Sequence, residues 1–350
     1  MDALPRAAAP TRLASNRGWR EILALYTEPD TGRIVFCILT SVVSYLALLA
    51  AMYVLLPVSY LLVLLLAIPA GGCLVRTYIV FHDCAHGSFL ASKRGNEWLG
   101  AACALLVFTP FQRWRHQHAI HHASSGDLDR RGTGDVPTLT VAEYRALPPR
   151  RRLAYRLFRN PIVMFGLGPL WLLIQPRFIS RSARPRIRRS VWLTNGVLAV
   201  AIAGLCVLVG WEALIAIELP PVLIAGSVGI WLFYVQHQFE DAYWQRSAQW
   251  SYDDAALRGS SYLHLPRALQ FFTGNIGFHH VHHLCTKIPH YNLQAAHDAH
   301  PALQAVPTLT LLDAMRCVKL KLWDEELGRL VSFKQAGNPT AAFPAADEQP

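Results

Sequence analysis

Four histidines crowd into five positions at His279-His280-Val281-His282-His283, and two further clusters match them. One is His82-Asp83-Cys84-Ala85-His86; the other runs His116-Gln117-His118-Ala119-Ile120-His121-His122. Ten of the fifteen histidines lie in these clusters. On a helix, His82 and His86 (i, i+4) project from one face, as do His118, His121 and His122 (i, i+3, i+4) and His279, His282 and His283. Neutral imidazole is a common metal ligand. Crowded imidazoles without a metal would be costly to bury and, once protonated, would repel one another. Eight clustered rings exceed the roughly four that a tetrahedral zinc takes, so the count points to two metal ions. Ligand type alone leaves zinc, iron and copper open. His116 and His280 break the shared faces, and the isolated His264, His297 and His300 read as ordinary polar residues.

The elements that must gather these clusters are apolar. The 350-residue chain is 53% hydrophobic and 16% charged, and its mean hydropathy of +0.24 fits a multi-span membrane protein better than a soluble domain. Runs at 34–56, 60–80, 191–209 and 221–235 are expected to cross the bilayer. Runs at 97–111 and 161–175 are expected to be interfacial or embedded, because a crossing at either place would separate the clusters by a full bilayer. The segment between the last two spans carries Glu212 and Glu218 and no Lys or Arg, as an outer loop would. Twelve arginines between Arg145 and Arg189 place that stretch in the cytoplasm. The expected fold is therefore all-α: four transmembrane helices, interfacial helices and a cytosolic helical cap holding a di-metal site. Residues 1–33 read as a cytosolic or interfacial tail with no cleavable signal peptide and with Trp19 and Tyr26 at the headgroups, 34–325 as the membrane domain, and 326–350 as a C-terminal tail. The net charge of +10 flanks apolar segments, which suits lipid headgroups or an acidic electron donor rather than nucleic acid. Seven scattered cysteines form no disulfide framework and suit a reducing compartment.

The words around the clusters are specific. His82-Asp-Cys-Ala-His-Gly-Ser-Phe89, Trp114-Arg-His-Gln-His-Ala-Ile-His-His122, Gly126-Asp-Leu-Asp-Arg-Arg-Gly132, Gly134-Asp-Val136 and Val235-Gln-His-Gln-Phe-Glu-Asp241 resemble the integral-membrane fatty acid desaturases, in particular bacterial acyl-lipid enzymes of the omega-6 (Δ12-like) group. The resemblance spans roughly residues 33 to 320. It implies a non-haem centre of two iron ions, O2 as co-substrate, a membrane lipid acyl chain as substrate, and His237 as a ninth ligand to join His82, His86, His118, His121, His122, His279, His282 and His283. It implies a bacterial inner-membrane enzyme with its site on the cytoplasmic side. No fused haem or ferredoxin motif is visible, so electrons are expected from a separate ferredoxin or b-type cytochrome with its reductase. A fatty acid or carotenoid hydroxylase or ketolase would use the same ligands. A metal-ion transporter is disfavoured because its ligands would lie within the spans. Asp83, Asp127, Asp129, Glu240 and Asp241 are candidates to orient ligand rings, and Asn275 to hold a metal-bound water. His290, in Ile-Pro-His-Tyr-Asn, is a family-like word without ligand spacing.

Overall fold

A computed structural model describes residues 16–337. After a short helix α1 (Asn16–Leu23), α2 (Thr31–Leu55) and α3 (Tyr60–His86) form a hairpin. Asp30 starts α2 by accepting the Arg33 backbone N–H at 2.7 Å. The 27 residues of α3, at about 1.5 Å each, span about 40 Å. This exceeds the hydrocarbon core, so the first histidine pair rides on a span that continues past the bilayer. Next come α4 (Lys93–Leu106), α5 (Phe111–Ser124), α6 (Pro149–Phe158) and α7 (Val163–Arg177). The pair α6 and α7 is bent by 62°. Two long apolar helices follow, α8 (Pro185–Val209) and α9 (Trp211–His237). Among the described residues four helices, α2, α3, α8 and α9, are thus long and apolar enough to cross, with a fifth only where the bent pair α6 and α7 is taken as one span, and α4 is not among them.

One expectation fails here. The outer loop placed between the last two spans is reduced to Gly210; Glu212 and Glu218 lie inside α9, and Glu218 Oε2 accepts from the Tyr45 hydroxyl of α2 at 3.5 Å. Pro221, the expected first residue of the last span, sits with Pro220 within α9, as a packed membrane helix tolerates. The helix α3 is the central one: a Cβ on Gly72 would stand 2.5 Å from the Phe272 ring, and one on Gly71 2.7 Å from Ile224 of α9. Only glycine lets these elements close on α3.

The cap closes over the histidine-bearing ends of α3, α5 and α9. It contains α10 (Tyr252–Arg258), α11 (Arg267–Phe272), α12 (His279–Leu284) and two small sheets. Strands β1 (Leu139–Thr140), β4 (Leu322–Asp324) and β5 (Arg329–Val331) form one sheet, and β2 (Tyr262–Leu263) pairs in parallel with β3 (Thr308–Leu309) in the other. The tail expected from residue 326 therefore does not begin there: β5 pairs antiparallel with β4, and Phe333–Gly337 is helical. The remaining tail residues lie outside the described residues. The N-terminal tail is also revised. Trp19 and Leu23 are buried in the same core as Leu284 and Leu293, and Tyr26 meets His300 edge-on at 5.9 Å, so α1 belongs to the cap rather than to the headgroups. All seven cysteines are unpaired thiols.

One buried cation ties the cap to the end of α9. Arg159, fully buried, donates to Pro137 O (2.5 Å), the Tyr155 hydroxyl (3.0 Å), the Tyr234 hydroxyl (3.2 Å) and Gln238 Oε1 (2.9 Å). It therefore fixes the turn that carries His237.

Candidate metal centre

The histidines named from the sequence converge into two groups. His82, His86, His118, His122 and His282 form one; His121, His237, His279 and His283 form the other. Within each group one ring nitrogen per residue lies within 4.8 Å of the rest. Each HxxHH box serves both groups. Residues i and i+4 are separated by only about 40° around a helix, while i+3 turns about 60° the other way. On α5, His118 and His122 therefore face one group and His121 the other. On α12 the assignment is reversed: His279 and His283 face the second group and His282 the first. The five-ring group holds two i, i+4 pairs (His82/His86 and His118/His122), and the four-ring group holds one, completed by single rings from α5 and α9.

The nitrogens face one another. His237 Nε2 lies 3.2 Å from His121 Nε2 and 2.9 Å from His279 Nε2; His122 Nε2 lies 3.0 Å from both His118 Nε2 and His282 Nε2. The far sides of the rings fix the tautomers. His237 Nδ1 donates to the Gly259 carbonyl at 3.0 Å, and His121 Nδ1 to Asp135 Oδ1 at 2.5 Å. A neutral ring that donates from Nδ1 has a lone pair on Nε2. The two Nε2 lone pairs therefore point at each other, an arrangement that a cation between them relieves. In the other group His86 Nε2 is buried without a hydrogen-bond partner among the described residues. Buried polar atoms are rarely left so.

Electrostatics favour the neutral form at five of the rings. Burial, reinforced by neighbouring imidazoles, pushes His118, His122, His279, His282 and His283 well below the usual histidine range. Neutral imidazole is the form that binds metal. Trp114 stacks on His118 at 4.2 Å between centroids, and Phe233 packs on His121 at 5.1 Å, so apolar walls screen both groups from water.

Of the carboxylates proposed to orient rings, only Asp83 does so. Its Oδ1 accepts from His82 Nδ1 at 3.0 Å, and its Oδ2 takes both the backbone N–H and Nδ1 of His290 at 2.7 Å. Burial opposes a charge on His290, but the Asp83 carboxylate outweighs it and raises that ring to about 9. The other candidates are engaged elsewhere. Asp127 binds Arg130 and Ser247, Asp129 binds Arg246 and Ser247, Glu240 binds Arg329, and Asp241 is exposed. Asn275 sits in a left-handed turn (φ 58°) with its side-chain oxygen taken by Gln270 at 3.0 Å. His116 is exposed, and His280 turns away to His297, 3.1 Å off, where burial and then His297 push it down to about 3. Two partners were missed. The Gly259 carbonyl has no sequence signal. Asp135 had one, the Gly134-Asp135-Val136 word. Gly134 has φ 75°, and a Cβ there would meet Gln117 O at 2.8 Å; the glycine lets this loop lie on α5 and aim Asp135 at His121.

Comparison with known proteins agrees with this geometry. A model of the fatty acid desaturase family matches residues 56–309. A fatty acid desaturase of Bacillus subtilis is 44% identical over 323 residues, 92% of each chain. An sn-1 oleoyl-lipid 12-desaturase of Synechocystis is 27% identical over 259 residues, 73% of this chain and 71% of that one. An sn-1 acyl-lipid omega-3 desaturase (ferredoxin) of the same organism is 28% identical over 241 residues, 63% of this chain and 62% of that one.

Proposed function

This chain belongs to the fatty acid desaturase family, and from that membership and its nine converging imidazoles we propose an O2-dependent, di-iron desaturase of membrane acyl lipids. The observation that carries the reading is the pair of all-nitrogen groups, five rings and four, set where the cap meets the spans. Facing Nε2 lone pairs and the partnerless His86 Nε2 fit bound cations. His82, His86, His118, His122 and His282 would hold one iron, and His121, His237, His279 and His283 the other. When bound, the irons would supply O2 activation and the oxidising power to convert –CH2–CH2– to a cis double bond, the two hydrogens removed leaving with O2, two electrons and two protons as two waters. The electrons come from a separate donor, a ferredoxin or a b-type cytochrome with its reductase.

The protein's own residues set the conditions. Asp83, Asp135 and the Gly259 carbonyl hold His82, His121 and His237 by their Nδ1 atoms, which fixes ring orientation and raises ligand basicity. Trp114 and Phe233 keep water from the rings. The continuity of α3 and α9 from the bilayer to the histidines supports delivery of the acyl chain from within the membrane. By the positive-inside rule the arginine-rich stretch, and hence the centre, lies on the cytoplasmic side of a bacterial inner membrane.

The test is the fatty acid profile of a host without polyunsaturates, expressing the chain or its His282→Ala variant. A new double bond made only by the unsubstituted chain supports the reading. Hydroxy or keto products in its place, or an unchanged profile from iron-loaded protein supplied with a competent donor, would refute it.

A further inference from the structure

A second feature of the cytosolic face is a cleft of about 550 Å³ between the start of α2, the cytosolic part of α3 and α11. Its lining includes Arg33, Arg76, Arg267, Phe271, Asn275 and His290, and none of its lining residues is acidic. Asp83 lies behind the wall, already bonded to His290.

Arg76 is the unusual member. It is only 6% exposed, yet it has no carboxylate partner among the described residues. One terminal nitrogen donates to the Phe271 carbonyl, the other to Thr40 Oγ1 at 3.1 Å, and the guanidinium lies 4.1 Å above the Phe271 ring. Its buried Nε has no partner among the described residues. A buried charge without a counter-ion is costly. Arg267 has no hydrogen bond or ion pair among the described residues, and Arg33 uses one terminal nitrogen on Tyr291 O (3.0 Å) and Asn292 Oδ1 (2.8 Å). Three guanidinium groups around one cavity form a site for a phosphate, which such forks bind by charge-assisted pairs.

The surroundings identify the source. Arg33 and Phe36 lie in the first turns of a membrane span, and the rim exposes Phe36 (55%) and Phe271 (37%). Apolar side chains beside arginines are what a headgroup region meets. The inner wall, through His290 and Asp83, is two hydrogen bonds from His82. We infer that this cleft binds the phosphodiester of a membrane phospholipid whose acyl chain is the substrate; that the lipid is substrate rests on the desaturase reading above.

The experiment uses the full, iron-loaded protein in detergent, titrated with phosphatidylglycerol, with a diacylglycerol of the same chains, with inorganic phosphate and with an acyl-coenzyme A. Bound lipid is read by native mass spectrometry, without turnover. The expected result is selective retention of phosphatidylglycerol over diacylglycerol, weakened about tenfold in Arg267→Gln and in Arg33→Gln and largely restored in Arg267→Lys, with iron content unchanged. In turnover assays Arg267→Gln should raise KM for phosphatidylglycerol about tenfold and leave kcat in place. Equal retention by the variants, or diacylglycerol held as well as phosphatidylglycerol, overturns the inference. Displacement of the lipid by stoichiometric phosphate or acyl-coenzyme A also overturns it, by giving the cleft to a soluble phosphate. Arginine-dependent lipid retention by a protein that makes no double bond would leave the phosphate site standing and refute the desaturase reading instead.

Discussion

Replacing Asp135 by Asn should loosen one metal and spare the other. The carboxylate is nearly buried, with side-chain exposure of 8%, and it holds His121, whose side chain is 1% exposed, by a 2.5 Å bond. Its second oxygen has no partner among the described residues, so its charge is directed at this ring. Asn keeps the shape and an acceptor but removes the charge. Loss of such an orienting partner typically weakens metal binding by about 10- to 100-fold, or about 1.4–2.7 kcal/mol. His121 belongs only to the four-ring group, so the loss should fall there. The assay is iron retained per chain against rising chelator. The unsubstituted protein should release its two irons in two steps, and Asp135→Asn should move one step to about 10- to 100-fold lower chelator with the other in place. Asp129→Asn is the control, because that side chain is 43% exposed and bound to Arg246. If both steps move together, or neither moves, the assignment of Asp135 and His121 to one group alone is refuted.

Other outcomes follow from the same geometry. His118, His122, His279, His282 and His283 are held well below the ordinary histidine value of 6.5, whereas the unfolded chain takes up protons near it. Below that pH the unfolded state binds more protons than the folded one. Stability of the metal-free protein should therefore fall as pH drops through about 6.5, by up to about 1.4 kcal/mol per histidine per pH unit. Melting temperatures in detergent between about pH 7.5 and 5.5 check this, and a flat or rising profile on acidification contradicts it. Arg159→Met should cost about 2 kcal/mol or more by removing the charge-assisted bonds to Pro137 O, the Tyr155 and Tyr234 hydroxyls and Gln238 Oε1, each of which keeps one other donor, read as a lowered melting temperature. A shift under about 1 kcal/mol would show that the remaining donors suffice.

What the sequence disclosed depended on how local each signal was. The box histidines were legible because i, i+3 and i+4 spacing fixes ring direction within one helical turn. His237 has no such neighbours, and only the resemblance pointed to it. Asp135 was hidden because its meeting with His121 depends on a loop folding back over α5. The four spans were readable as apolar runs, but Glu212 and Glu218 suggested an outer loop where the helix in fact already runs from Trp211. Trp19 suggested a headgroup anchor because nothing in a polar N-terminal stretch reveals that the cap has a hole for it. Strands of two or three residues are too short to show alternation, so β5 was taken for tail.

The shared helices impose a mechanical bond between the two groups. Because α5 and α12 each carry rings for both, neither can rotate to tighten one group without swinging the other's ring out of line. A one-residue insertion between the first and second ring of either box (His118 and His121, or His279 and His282) would turn both later rings by about 100° and break both groups at once. The two binding positions therefore behave as one gear train, and adjustment of a single position is left to the parts outside it: the Asp135 loop and the His237 turn for the four-ring group, and Asp83 with His290 for the five-ring group.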